Sequence, residues 1–187
     1  MAKTASGRPS KAELLASAGK RVPDVIGFGL QVLFCGINPG LYSGWAGHHF
    51  ARPGNRFWRA LFASGFTKRL YRPDEEDALL PCGYGITNLV DRATLGSAEL
   101  TRAELVEGAW ILGSKIKRYR PHAVAILGVS AYRLAFSWPE AKVGVQKEKI
   151  ENTLVWVLPN PSGLNAHFTP KALARVFREF KEYLGRP

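Results

Sequence analysis

Two Asn-Pro loops carry the side chains best placed to do chemistry. Val32-Leu33-Phe34-Cys35 is an apolar run of strand character, and it ends in Gly36-Ile37-Asn38-Pro39-Gly40. Leu154-Val155-Trp156-Val157-Leu158 ends likewise in Pro159-Asn160-Pro161-Ser162-Gly163. Asn-Pro is a common way to start a turn, so either loop alone reads as structure. The pair says more, because each follows a buried-strand pattern and each has glycine beside it for close backbone approach. In an open α/β sheet, ligands bind beyond the carboxyl ends of the strands. The two loops are therefore expected to meet over one site, with Asn38 at the exit of the first strand.

Other chemistries find little support. Gly36–Gly40 is not GxGxxG and no P-loop occurs, which disfavours dinucleotide and nucleoside-triphosphate sites. His48, His49, His122 and His167 lack zinc-ligand spacing, so no metal is expected. Ser162 lies in Pro-Ser-Gly rather than in a GxSxG elbow, and no close carboxylate pair announces a glycoside hydrolase. Cys35 and Cys82 form no CxxC and sit among apolar residues; two buried thiols are expected, which fits the cytoplasm.

The elements that must position these loops alternate between strand and helix. Ala123–Gly128 is a continuous apolar run bounded by Pro121, hence a strand buried on both faces. Tyr84–Val90 reads as a short strand running into Asp91-Arg92-Ala93-Thr94. Gly36–Pro53 is a long loop, and such loops are usually functional. A largely buried helix follows over 55–62, with Phe57/Leu61 and Trp58/Phe62 four residues apart. Pro73 and three acidic residues open a helix over 72–80. Thr101 and Glu104 form a capping box for a helix to about Arg118, with Leu105, Ala109, Leu112 and Ile116 as its apolar stripe. A short helix spans 130–136, and 147–150 pairs with 154–158 as a hairpin around Glu151-Asn152. Thr169 and Pro170 start the last helix. The alternation implies a three-layer α/β/α sandwich with a mostly parallel central sheet.

One domain is expected over 29–187, after a basic extension over 1–28. Ser10 can cap a short helix over 10–18 in that extension; otherwise it is a mobile basic tail. The chain is 46% hydrophobic and 22% charged, as in soluble globular proteins. No apolar run approaches the ~20 residues that span a bilayer, and the N-terminus lacks a signal-peptide core. A cytoplasmic protein without a membrane partner is therefore expected. Lys and Arg number 26 against 15 acidic residues, for a net charge of +11, which points to a polyanionic partner, nucleic acid ahead of a membrane.

Gly36-Ile37-Asn38-Pro39-Gly40 with Asn160-Pro161-Ser162-Gly163-Leu164 resembles the two motifs of the mismatch-specific uracil/thymine-DNA glycosylase family. Phe50-Ala51-Arg52-Pro53-Gly54-Asn55-Arg56-Phe57-Trp58 and Leu89-Val90-Asp91-Arg92 match the same family, in register, between about Leu30 and Leu184. The resemblance implies removal of uracil mispaired with guanine from duplex DNA, with thymine or cytosine adducts as further candidates. It implies a flipped base, an activated water, an abasic product, no lyase step and no cofactor, in a protein expected to be a monomer.

By the same resemblance Asn38 positions the water, and Phe50 stacks on the base unless it is an ordinary core residue. Asp91 is a candidate rescue carboxylate, or else a loop brace with Arg92. Ile37, Gly40, Ser43 and Asn160 belong to the base pocket, with Gly40 and Ser43 facing carbon 5 of the base. Leu164 is the wedge that fills the vacated stack, and Gly163 and Asn165 read the orphaned guanine. Ser162 contacts phosphate. Tyr42, Trp45, His48 and His49 are bulkier than the family pattern at the pocket rim. The alternatives are a non-catalytic mismatch or abasic-site binding protein, or a phosphodiesterase or nucleoside hydrolase; the last needs clustered acidic metal ligands that the sequence lacks.

Overall fold

The computed structural model describes residues 7–185. Five strands form one sheet: β1 (Val32–Gly36), β2 (Tyr84–Asn88), β3 (Ala123–Leu127), β4 (Gly144–Val145) and β5 (Leu154–Leu158). Their order is β2-β1-β3-β5-β4, parallel throughout except for β4 on the edge. Helices α1 (Lys11–Leu15), α2 (Leu41–Ala46), α3 (Phe57–Ala63), α4 (Arg102–Tyr119), α5 (Val129–Phe136) and α6 (Pro170–Leu184) surround it, with 3₁₀ turns at Pro73–Cys82 and Ser97–Glu99.

Every residue of β1, β2 and β3 is buried, as expected when both faces of a parallel sheet are covered. Alternate residues feed two cores. On one face Phe34, Ile86, Ala125 and Trp156 pack under Phe57 and Leu61 of α3 and Phe177 and Phe180 of α6. On the other, Leu33, Val124, Ile126 and Val155 pack under Leu105, Leu112 and Ile116 of α4 and Tyr132 of α5. Each such large apolar side chain contributes about 1.5–3 kcal/mol on burial. The result is the three-layer α/β/α sandwich that the alternation implies. Among the described residues, no helix is long and apolar enough to cross a membrane.

Helix ends follow their capping signals. Thr101 and Glu104 close a capping box on α4, and Thr169 accepts from Ala172 N ahead of Pro170 in α6. Several expectations change. The long loop over 36–53 contains α2, which runs from Gly40, in extended conformation, to Gly47, in the left-handed region. A tertiary contact holds this helix: a Cβ at Gly44 would lie 2.7 Å from Ala93 Cβ, so only glycine allows the approach. Phe62 is half exposed, so the buried face of α3 is carried by Phe57, Trp58, Ala60 and Leu61. The hairpin partner of β5 is 144–145 rather than 147–150; only Ile150 bridges Thr153, around Glu151 and Asn152, both at positive φ. Cys35 is buried as expected, but Cys82 is exposed.

Of the N-terminal extension expected over 1–28, residues 7–28 are described, and several of them pack on the domain. Ser10 and Glu13 form a capping box for α1, and Ser17, Val22 and Val25 are buried. Val25 bridges Ile86 of β2, and Asp24 meets Lys115 of α4 at 2.6 Å. Those apolar and ionic contacts, not the local basic composition, decide its placement. Residues 1–6 lie outside the described residues.

Candidate active site

The parallel register sets the carboxyl ends of β1 and β2 side by side, with Gly36 opposite Asn88. The segments after β1, β3 and β5 then close around one cavity of about 710 Å³. Both Asn-Pro loops line it: Ile37, Asn38 and Gly40 from the first, Asn160, Ser162, Leu164 and Asn165 from the second. Ser43, Phe50, Asn88 and Thr94 join them.

Asn38 is held by its amide nitrogen. Nδ2 donates to the carbonyls of Pro39 and Arg92, each at 3.1 Å, and to Thr94 Oγ1 at 2.7 Å. Two hydrogens serve three acceptors, so one is shared. Carbonyl oxygens only accept, which fixes the amide orientation. The Thr94 hydroxyl passes its own proton to Gly96 O at 2.9 Å, leaving a lone pair for Asn38. Oδ1 of Asn38 accepts no hydrogen bond among the described residues. It is an anchored acceptor on the cavity wall, suited to accept a hydrogen bond from a bound water.

Phe50 and Asn88 meet across Gly36. A Cβ there would fall 2.4 Å from Asn88 Oδ1 and 3.2 Å from Phe50 Cζ, so glycine is required for the floor of the cavity. Phe50 lies at φ 53°, in the left-handed region, and one face of its ring stacks on Phe57 at 4.1 Å between centroids. The Ser43 hydroxyl accepts from Ala51 N at 3.1 Å and so braces that strained position. Around Gly40 a Cβ would meet nothing within 4 Å, so the cavity is open there.

Asn88 was not among the residues singled out from the sequence. The available signal was an asparagine closing a strand, as Asn38 follows one. Its orientation comes from His49, which is 2% exposed. His49 Nε2 lies 2.9 Å from the carbonyl of Pro23 and must donate to it, which leaves Nδ1 to accept from Asn88 Nδ2 at 3.3 Å. Burial lowers the imidazole pKa, against an opposing pull from Glu76, so His49 is a neutral prop.

Asp91 does not join the cavity. It is half exposed and pairs with Arg21 at 3.2 Å, while Arg92 pairs with Glu104 at 2.6 Å rather than bracing Asp91. Here the backbone decides: this segment turns the Arg92 carbonyl and the Thr94 side chain inward to Asn38. Among the described residues no carboxylate lines the cavity.

The second loop is a preformed projection. Asn160 Oδ1 accepts from Ser162 N, and Asn165 Nδ2 donates to Asn160 O, both at 2.9 Å. Asn165 Oδ1 accepts from His167 N at 3.1 Å, so both side-chain atoms of Asn165 serve the loop itself rather than pointing outward to read a base. Ser162 Oγ accepts from Leu164 N at 3.3 Å. Leu164 itself is 74% exposed at the tip and is not a core residue. A Cβ on Gly163 would sit 2.6 Å from Gly54 O, so the loop packs directly on the backbone ahead of α3.

Arg56, part of the helix and of the Phe50–Trp58 motif in the sequence but given no role there, organises this loop. Its guanidinium donates to the carbonyls of Ser162 and Phe168 and, at 3.0 Å, of Asn165, while its backbone N–H donates to Pro161 O at 3.0 Å.

Comparison with known proteins agrees with this geometry. The family model of the uracil DNA glycosylase superfamily matches residues 23–184. A solution NMR structure from Methanosarcina acetivorans, described as that of a "putative Uracil DNA glycosylase", superposes with a TM-score of 0.55 at 18% identity, over 87% of this chain and 98% of that one. That likeness carries the fold; the family match spans both Asn-Pro loops and the segment between them. The chain belongs to the uracil DNA glycosylase superfamily.

Proposed function

We propose that this protein is a monofunctional, monomeric DNA glycosylase that hydrolyses the N-glycosidic bond of uracil mispaired with guanine, leaving an abasic site. One observation carries the reading: Asn38 is anchored by its nitrogen, with its oxygen free on the wall of a cavity beside an exposed leucine projection. In this reading Oδ1 takes a hydrogen bond from water and turns a water lone pair toward C1′. The sugar becomes oxocarbenium-like as the base departs with the bonding electrons. The water forms the new C1′–O bond and loses its proton to solvent.

An amide is no strong base, and general-base assistance is commonly worth ~10²–10⁴-fold. With no carboxylate at hand, rate must come from stabilising the departing anion. Asn88 offers an amide edge to the base, and Phe50 offers an apolar face that suits any pyrimidine. Leu164 occupies the vacated stack. Extrusion costs a few kcal/mol and least at a weakened pair, which favours G·U over A·U.

The test is single-turnover base release from duplexes with G·U, A·U or G·T, and from single-stranded uracil. G·U is expected to be cleaved fastest, with free uracil and an intact abasic strand as products. Tight mismatch binding with no release of any base would replace the enzyme by a binding protein.

A further inference from the structure

A second groove, of about 720 Å³, runs between α3 and α6. Its walls carry Arg59 from α3 and Lys171, Arg175 and Arg178 from α6; its floor includes Ala60, Ala63 and Ala172. Lys171, Arg175 and Arg178 stand at i, i+4 and i+7, one stripe of like charge that a helix would otherwise disfavour. Among the described residues no carboxylate lines the groove. Arg178 donates to Ala63 O at 2.7 Å and ties the two helices together, and Arg175 meets Glu179 at 3.6 Å in open solvent. Arg59 and Lys171 make no hydrogen bond or ion pair among the described residues.

The groove begins where the leucine projection ends. Phe168 lines the main cavity, and the next residue, Thr169, lines the groove. Arg56 lines the groove while it holds the loop. We propose that this groove is a phosphate track for duplex DNA flanking the lesion, engaged on one side only. The proposal rests on the glycosylase reading for the position of the lesion. The cationic stripe runs ~10 Å along α6 at 1.5 Å per residue; neighbouring phosphates of one strand turn about the axis and so lie roughly twice their 3.4 Å rise apart, which leaves room for about two of them. Cationic walls meet the phosphates, and an alanine floor leaves room for the sugars. These contacts add affinity without reading sequence.

The test compares wild type with Arg59→Glu/Lys171→Glu by fluorescence anisotropy on undamaged and G·U duplexes, trimmed stepwise from either end. Both positions are exposed, and glutamate in the first turn of α6 suits the helix dipole, so the variant is expected to melt as wild type does. Wild type is expected to lose ~10-fold in affinity when one flank is trimmed and little when the other is. The variant is expected to bind the long duplex ~10-fold more weakly, to be indifferent to trimming, and to show a salt slope smaller by about two.

Unchanged affinity and slope in the variant, with wild type still releasing uracil, would overturn the groove proposal alone. So would a loss shared equally by all duplex lengths, or competition by inorganic phosphate with no dependence on flank length. A wild type that releases no uracil would overturn the glycosylase reading whatever the groove does.

Discussion

Replacing Arg56 by methionine keeps most of the aliphatic stem and removes the fork that gathers the carbonyls of Ser162, Asn165 and Phe168. Hydrogen bonds from a charged donor are each worth about 1.5–3 kcal/mol. They do not add, Arg56 is only partly buried, and freed carbonyls regain water. A net loss of about 2–3 kcal/mol in loop order is the reasonable figure, which lowers the equilibrium constant for ordering the loop ~30–150-fold. The core is untouched, because α3 keeps Phe57, Trp58 and Leu61 buried.

The assay is single-turnover uracil release from a G·U duplex and from an unpaired uracil in a bulge, with amide hydrogen exchange across 160–168. Excision from the duplex is expected to fall by a factor that approaches ~30–150 as the disordered loop comes to dominate, and excision from the bulge less than about threefold, because only the paired base must be driven from the stack. Arg56→Lys is not expected to rescue, since an ammonium cannot span the carbonyls as a planar fork does. Equal losses on both substrates, or unchanged exchange in the loop, would refute the argument.

Three further outcomes follow from the same geometry. Leu164→Ala is expected to leave the melting temperature within about a degree, because the side chain is exposed, and to lower G·U excision ~10-fold or more; a large drop in stability would return Leu164 to the core. Asp91→Asn is expected to change the excision rate less than about twofold, since Asp91 pairs outward with Arg21; a 100-fold loss would restore it as the base. His49 gives a pH signature in stability. Its folded pKa is lowered by burial, so between that value and the ordinary ~6.5 the unfolded chain binds a proton that the folded chain refuses. Stability is therefore expected to fall as pH drops below ~6.5, by at most about 1.4 kcal/mol per pH unit, and His49→Gln should remove that component from melts between pH 5 and 8.

Local signals were enough for much of this molecule. The apolar runs of β1, β3 and β5 are buried strands because no residue in them can face water without loss, and Thr101/Glu104 and Thr169/Pro170 start helices by a chemistry that needs no tertiary context. Asn38 was legible for the same reason, as the polar residue leaving a buried strand. Asp91 was misplaced because its direction depends on Asn38 drawing the Arg92 carbonyl and Thr94 inward across 54 and 56 residues of chain. The role of Arg56 was not legible from the motif and helix it belongs to, since its partners lie more than 100 residues away. Asn165 looked like an outward reader, yet both ends of its amide close the loop. α2 escaped because Gly44, a poor helix former, is needed there for contact with Ala93.

The central claim is that Asn38 positions the attacking water, and single-turnover uracil release from a G·U duplex by Asn38→Ala tests it most directly. The account expects a loss of ~10²-fold at saturating enzyme, the cost of a misplaced nucleophile rather than of a lost base, with affinity for the mismatch within about threefold of wild type. A variant that retains the wild-type rate within about threefold would contradict it.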